Sequence, residues 1–108
     1  MFVKNESVQS DPAGTGVTRK ILGRGGKLML VEFSFKKGGI GALHSHPHEQ
    51  VGYVVNGSFE FNLNDNKQVV KKGDSVYIPS DTPHSALALE EDSIMVDVFT
   101  PQREDFLK

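Results

Sequence analysis

Residues 44–57 read HSHPHEQVGYVVNG, placing three of the chain's four histidines within five positions ahead of an apolar run. An extended segment sends alternate side chains to opposite faces, so His44 and His46 project to one side. Asn56-Gly57 is the dipeptide best suited to a type I′ turn, and it predicts a hairpin joining residues 51–55 to residues 58–63. In that register Gln50, Gly52, Val54, Phe59, Phe61 and Leu63 share one face. The other face, Val51, Tyr53, Val55, Ser58, Glu60 and Asn62, is distinctly more polar. The apolar face turns inward and takes the amide of Gln50 with it, and an unpartnered buried amide costs about 1–3 kcal/mol. A metal ion held by His44, His46 and Gln50 would satisfy all three groups. Two histidines on one strand face fit surface or internally bonded residues equally well, so the pair needs support from the rest of the chain.

That support comes from the strand pattern on either side. Residues 17–22 and LMLVEFSF, residues 28–35, flank the turn cluster GRGGK and predict a hairpin. Asn64-Asp65-Asn66 and Lys72-Gly73-Asp74 bound another strand, followed by SVYIP, SDTPHSALAL, the turn EED and SIMVDVF. No window sustains a helical period; Pro101 sits at the first position of a predicted final helical turn over QREDFL. Short strands at regular spacing predict an all-β sandwich or barrel of jelly-roll type. With 108 residues, 37% of them apolar, the chain has the size of one domain, residues 1–108, holding one core.

Composition narrows the chemistry. The net charge of −2, with both signs interspersed, leaves no basic stripe for nucleic acid. The opening MFVKNESVQSD has no apolar h-region and no run reaches membrane-spanning length, so the expectation is a cytoplasmic protein without a membrane partner. Absence of cysteine leaves imidazole and oxygen as metal ligands. The fourth histidine, His84, follows a strand that stops at Pro79 and an SDTP bend, giving His44, His46, Gln50 and His84 as a three-imidazole, one-oxygen set suited to a divalent borderline metal.

At these residues the chain resembles the cupin family. Its first motif, G-x5-H-x-H-x3-E-x6-G, fits Gly38, His44, His46, Gln50 and Gly57 at every spacing, with Gln in place of Glu. Its second, G-x5-P-x-G-x2-H, fits Gly73, Pro79 and His84, with Asp81 in place of Gly. The resemblance implies a single-domain cupin jelly-roll barrel, a double-stranded β-helix, with a divalent metal at its mouth. His48 shares parity with His44 and His46, but Pro47 interrupts the strand and the motif skips it, which makes it a loop histidine at the rim.

Over nearly its whole length, at RKIL, ALHSHPHEQVGYVVNG, GDSVYIP and DVFTPQREDFL, the chain is similar to the small cupins of the pectin-degradation KdgF family. In that family Gln is the usual fourth ligand. The similarity implies metal-dependent conversion of 4,5-unsaturated uronates, released from pectin or alginate, to linear 4-deoxy-5-keto uronates. It also implies that Asp97, Phe99 and Arg103 line the site. Read from the residues alone, Asp97 interrupts a strand apolar on both faces and fits either a half-exposed edge or a site carboxylate. Phe99 fits the core, or a ring packed on a sugar face. Arg103 fits a solvated tail charge, or a bidentate partner for a substrate carboxylate.

These expectations describe an isomerase with a small anionic sugar substrate and one of Zn, Ni, Mn, Fe or Co, working as a homodimer through edge strands or packed sheets. A neutral Gln50 leaves the site one unit more positive than Glu would, weakening metal retention and favouring an anionic substrate. A ferrous cupin dioxygenase and a non-catalytic sugar or metabolite sensor are the alternatives, separated by oxygen uptake and by ligand binding without turnover.

Overall fold

Strand alternation governs nearly the whole chain in the structure, a computed structural model that describes residues 1–108. A short 3-10 turn, Asn5–Ser7, precedes ten strands: β1 (Asp11–Pro12), β2 (Val17–Gly25), β3 (Leu28–Phe35), β4 (Ile40–His44), β5 (Glu49–Asn56), β6 (Ser58–Leu63), β7 (Asn66–Lys71), β8 (Ser75–Ile78), β9 (His84–Ala88) and β10 (Ser93–Thr100). A second 3-10 turn, Glu104–Leu107, closes the chain. One sheet has the order β1-β2-β3-β10-β5-β8 and the other β4-β9-β6-β7, with every pairing antiparallel. This is the all-β jelly roll that the sequence predicts. No helix is long and apolar enough to cross a membrane.

The inner faces of both sheets supply the core. Val17, Phe35, Val54, Phe59, Phe61, Ile78, Ala88 and Met95 form one buried cluster, in which Phe35 of β3 meets Phe59 of β6 edge-on at 4.9 Å. Such an aromatic pair contributes about 0.5–1.5 kcal/mol beyond its area and ties the two sheets together. Met29, Val31 and Phe99 form a second, smaller cluster.

The hairpin between β2 and β3 forms as expected, but the one expected at Asn56-Gly57 does not. There β5 leaves for β10 and β8 in one sheet, and β6 joins β7 and β9 in the other. Only Gly57 has a positive φ, of 75°, and it lies so close over β10 that a Cβ would overlap Ser93. The dipeptide therefore turns a corner between sheets. The two-residue turn with positive φ at both positions is Asn64-Asp65, at 49° and 68°, which joins β6 to β7. Gln50, Gly52 and Val54 are nonetheless buried, as are Phe59 and Phe61, because facing depends on each strand's own alternation rather than on its partner.

The motif positions explain themselves in backbone terms. Gly38, Gly57 and Gly73 all have positive φ, and so does Asp81, at 59°, where the second motif has glycine. Aspartate tolerates the left-handed region better than most residues, so the substitution preserves the bend before His84. The final helical turn begins at Glu104 rather than Pro101, because Arg103 first turns its side chain into the barrel mouth and is itself buried.

Candidate metal centre and its pocket

Two strand ends and one loop bring the histidines together. His44 closes β4 and pairs in the ladder with His84, which opens β9. His46 follows in the link, where its carbonyl accepts from the Asp81 amide and Ser80 donates to the Pro47 carbonyl, tying that link to the bend ahead of β9. Ring centroids of His44 and His84 are 4.4 Å apart, of His46 and His84 5.0 Å, and of His44 and His46 5.4 Å. One nitrogen from each lies within 4.8 Å of the others, so the three could hold a metal ion.

The hydrogen bonds settle which nitrogen is offered. Nδ1 of His44 lies 2.8 Å from the Ala42 carbonyl, Nδ1 of His46 3.0 Å from that of His48, and Nδ1 of His84 2.8 Å from that of Thr82. A carbonyl only accepts, so each Nδ1 carries the proton and each Nε2 keeps its lone pair. Nε2 of His84 is buried with no partner. Nε2 of His46 faces Oε1 of Gln50 at 3.0 Å, two lone-pair atoms that a cation between them would reconcile. Burial, the largest cause, lowers the proton affinity of His84 to a pKa of about 4, and burial followed by the charge of Arg103 lowers that of His46. Both rings therefore hold their lone pairs at neutral pH. The donor set of three imidazoles and one amide oxygen fits a divalent borderline metal.

Six of the seven predicted site residues, His44, Gln50, His84, Asp97, Phe99 and Arg103, line one cavity of about 260 Å³, and the seventh, His46, joins it through the cluster above. Asp97 faces inward on β10, so the half-exposed edge is excluded: it is 4% exposed, and its Oδ1 has no partner. Burial raises its pKa to about 7, against the opposing pull of the Gln50 amide and the Arg103 charge. Gly52 sits directly opposite Asp97 in the ladder between β5 and β10. A Cβ there would come within 2.7 Å of Asp97 Oδ1, so glycine makes the room the carboxylate occupies.

Phe99 is a core residue that also lines the cavity. It belongs to the core cluster with Met29 and Val31, and its ring meets His46 edge-on at 5.8 Å. Arg103 is not a solvated tail charge: it is 8% exposed, with Nε and Nη2 donating to the two Asp105 oxygens at 3.0 and 2.8 Å. Its guanidinium lies over the Phe106 ring at 4.2 Å, and Phe106 in turn meets Phe99 and Phe33 edge-on. His48 anchors this terminal segment, its Nε2 donating to the Gln102 carbonyl at 3.2 Å while its own carbonyl orients His46.

Four contributors escaped the sequence reading: Gly52, Arg19, Asp105 and Phe106. Signals existed for two of them. A glycine within a strand pattern marks a close approach, and a phenylalanine in a polar tail marks a docking point.

Comparison with known proteins agrees with this fold. The Cupin domain family model matches residues 31–99. Over 107 residues, 98% of this chain and 96% of the relative, the sequence is 41% identical to the pectin degradation protein KdgF of Dickeya dadantii (strain 3937). The solved structure of KdgF from Halomonas sp. superposes with a TM-score of 0.93 at 38% identity, covering 98% of this chain and 97% of that one. An RmlC-like cupin from Shewanella frigidimarina NCIMB 400 gives a TM-score of 0.91 at 38% identity, with 97% and 94% covered.

Proposed function

The chain belongs to the cupin family and, within it, to the KdgF proteins, and from that premise we propose that it is a metal-dependent isomerase of 4,5-unsaturated uronates. The observation that carries this reading is an enclosed carboxyl, Asp97, with a pKa near neutral in the same small cavity as a three-histidine cluster. A cavity of about 260 Å³ suits one sugar acid rather than an oligosaccharide, ligand pockets commonly running to about 300–1,000 Å³.

The reaction moves protons and breaks one carbon–oxygen bond. The anomeric hydroxyl gives up its proton, the bond between the anomeric carbon and the ring oxygen breaks, and the ring oxygen becomes an enol. Loss of the enol proton and delivery of one to C4 then leave a ketone at C5. Substrate and product are isomers, so no oxidant or reductant enters.

His44, His46, His84 and Gln50 would hold the metal, which when bound supplies a Lewis acid beside the substrate's oxygens. Asp97 carries the protons, because a carboxyl with a pKa of about 7 both takes and returns one readily near neutral pH. Phe99 floors the cavity and keeps water from that carboxyl, and Arg103 offers its unengaged N–H groups to the uronate carboxylate.

The test incubates metal-loaded protein with the unsaturated monouronate from a lyase digest and follows loss of the conjugated absorbance against the uncatalysed rate. The expected result is acceleration that disappears in Asp97→Ala while metal content holds. No acceleration, with Asp97→Ala matching wild type, would overturn the reading.

A further inference from the structure

Resting on that isomerase reading, we propose that Arg19 is a second substrate-binding residue, and that the uronate carboxylate is held between Arg19 and Arg103. Arg19 shares parity on β2 with Val17, which is buried in the core, and it pairs across the ladder with Phe33 of β3. Its side chain lines the cavity that also contains Asp97, Gln50 and His44. The neighbouring cation, Lys20, faces the other way and bonds to Asn5. Half-buried at this position, Arg19 has no acceptor within the protein: the molecule's single ion pair belongs to Arg103 and Asp105.

The two guanidiniums differ in what they can offer. Arg103 has already engaged Nε and Nη2 with Asp105, and its charge is matched by that carboxylate. Arg19 touches only a ring face, its Cζ standing 3.8 Å from the Phe106 centroid, a contact that orients the group and engages none of its five donors. Asp11 faces Arg19 across the ladder between β1 and β2 but accepts from Gln9 and makes no ion pair with it, so Arg19 is the cavity guanidinium whose donors stay free. A carboxylate entering beside Phe106 meets one guanidinium fork that is wholly free and one that is partly free. Asp105 and Phe106 are positioning residues in this arrangement, acting through the two arginines.

The experiment compares wild type, Arg19→Gln and Arg19→Lys as metal-loaded proteins, each checked for an unchanged thermal melt. Kinetics on the unsaturated monouronate should show KM rising roughly tenfold to a hundredfold in Arg19→Gln, the loss expected for one charge-assisted pair, with kcat within about threefold. Arg19→Lys, which keeps the charge without the fork, should fall between. In parallel, calorimetry measures binding of D-galacturonate and of D-galactose. Wild type should prefer the acid, and Arg19→Gln should lose that preference. Unchanged KM and unchanged galacturonate affinity in Arg19→Gln would overturn the assignment. A wild-type protein that binds galacturonate but does not accelerate ring opening overturns the isomerase reading instead, and the binding arm still decides on Arg19.

Discussion

Replacing Gly52 with alanine tests how the pocket makes room for its carboxylate. A Cβ at this position would lie 2.7 Å from Asp97 Oδ1, 3.2 Å from Met95 Sδ and 3.3 Å from Val76 Cγ1. Carbon atoms in ordinary contact sit about 3.5–4.0 Å apart, so all three neighbours must give way. The thioether of Met95 yields easily, whereas Asp97 is enclosed and 4% exposed, so the displacement falls mainly on it. Overpacking of this kind costs about 1–3 kcal/mol. Loss of a glycine's freedom in the unfolded chain offsets about 0.4–1 kcal/mol of that. The net fall of up to about 2.6 kcal/mol corresponds to a Tm lower by up to about 10 °C for a domain of this size. Catalysis should suffer more, since a misplacement of about 1 Å can cost a hundredfold in rate. None of the three crowded atoms belongs to the histidine cluster, so metal content should match wild type. The decisive assay is a double-mutant cycle with Asp97→Ala, read by thermal melting. Gly52→Ala should be markedly less damaging once the carboxylate is gone. A fully active Gly52→Ala protein, or equal destabilisation in both backgrounds, would refute the idea that this glycine exists to seat Asp97.

Three further outcomes follow from the same geometry. In the metal-free protein the Asp97 pKa is raised from 3.8 to about 7, so the fold favours the protonated form: this group's contribution to stability is full below pH 3.8 and is lost as pH rises through about 7. At pH 8 the loss approaches about 4 kcal/mol, and metal-free Asp97→Asn should therefore be more stable than wild type at pH 8 by urea denaturation, the difference vanishing near pH 4. The sign is opposite for His84, whose pKa falls from 6.5 to about 4: its contribution is present above pH 6.5 and lost on acidification towards 4, so His84→Ala should flatten the acid limb of the metal-free stability curve and should also abolish metal uptake measured by elemental analysis. Gln50→Glu should hold metal more tightly against a chelator competitor, yet raise KM for the uronate and shift the rate profile to higher pH by placing a second negative charge beside Asp97.

Much of the barrel was legible because alternation is a property of one strand at a time. The inward facing of Gln50, Phe59 and Phe61 followed from parity, and it survived even though the hairpin used to derive it does not exist. The error at Asn56-Gly57 has a specific cause: a glycine with positive φ serves a corner as well as a two-residue turn, and only the approach of Ser93 decides between them. The metal-ligand candidates were legible for a similar reason, since H-x-H spacing and a strand-ending proline locate side chains without knowledge of sheet order. The proposed anion-binding side was not. Arg19, Asp105 and Phe106 lie far apart in sequence from the histidines, and what joins them is the terminal 3-10 turn folding back over the barrel mouth, held by His48 and Gln102. A contact between an arginine of β2 and a tail phenylalanine leaves no trace in local pattern.

Gln50 can now be understood together with Asp97 rather than as a variation on a metal ligand. Its oxygen faces His46 at 3.0 Å, while its amide opposes the rise that burial imposes on the proton affinity of Asp97. Only a group with an acceptor at one end and a donor at the other serves both neighbours. A glutamate in the same place would present lone pairs in both directions and set two carboxylates against each other, driving the Asp97 proton affinity beyond the range useful for transfer at neutral pH. On the proposed reading the amide goes with the inward carboxyl of Asp97, two positions along the inner face from Phe99, the residue that Gln50 itself pairs with in the ladder. A cupin that keeps an inward aspartate here has reason to give up the glutamate, and one that keeps the glutamate has reason to leave the aspartate out.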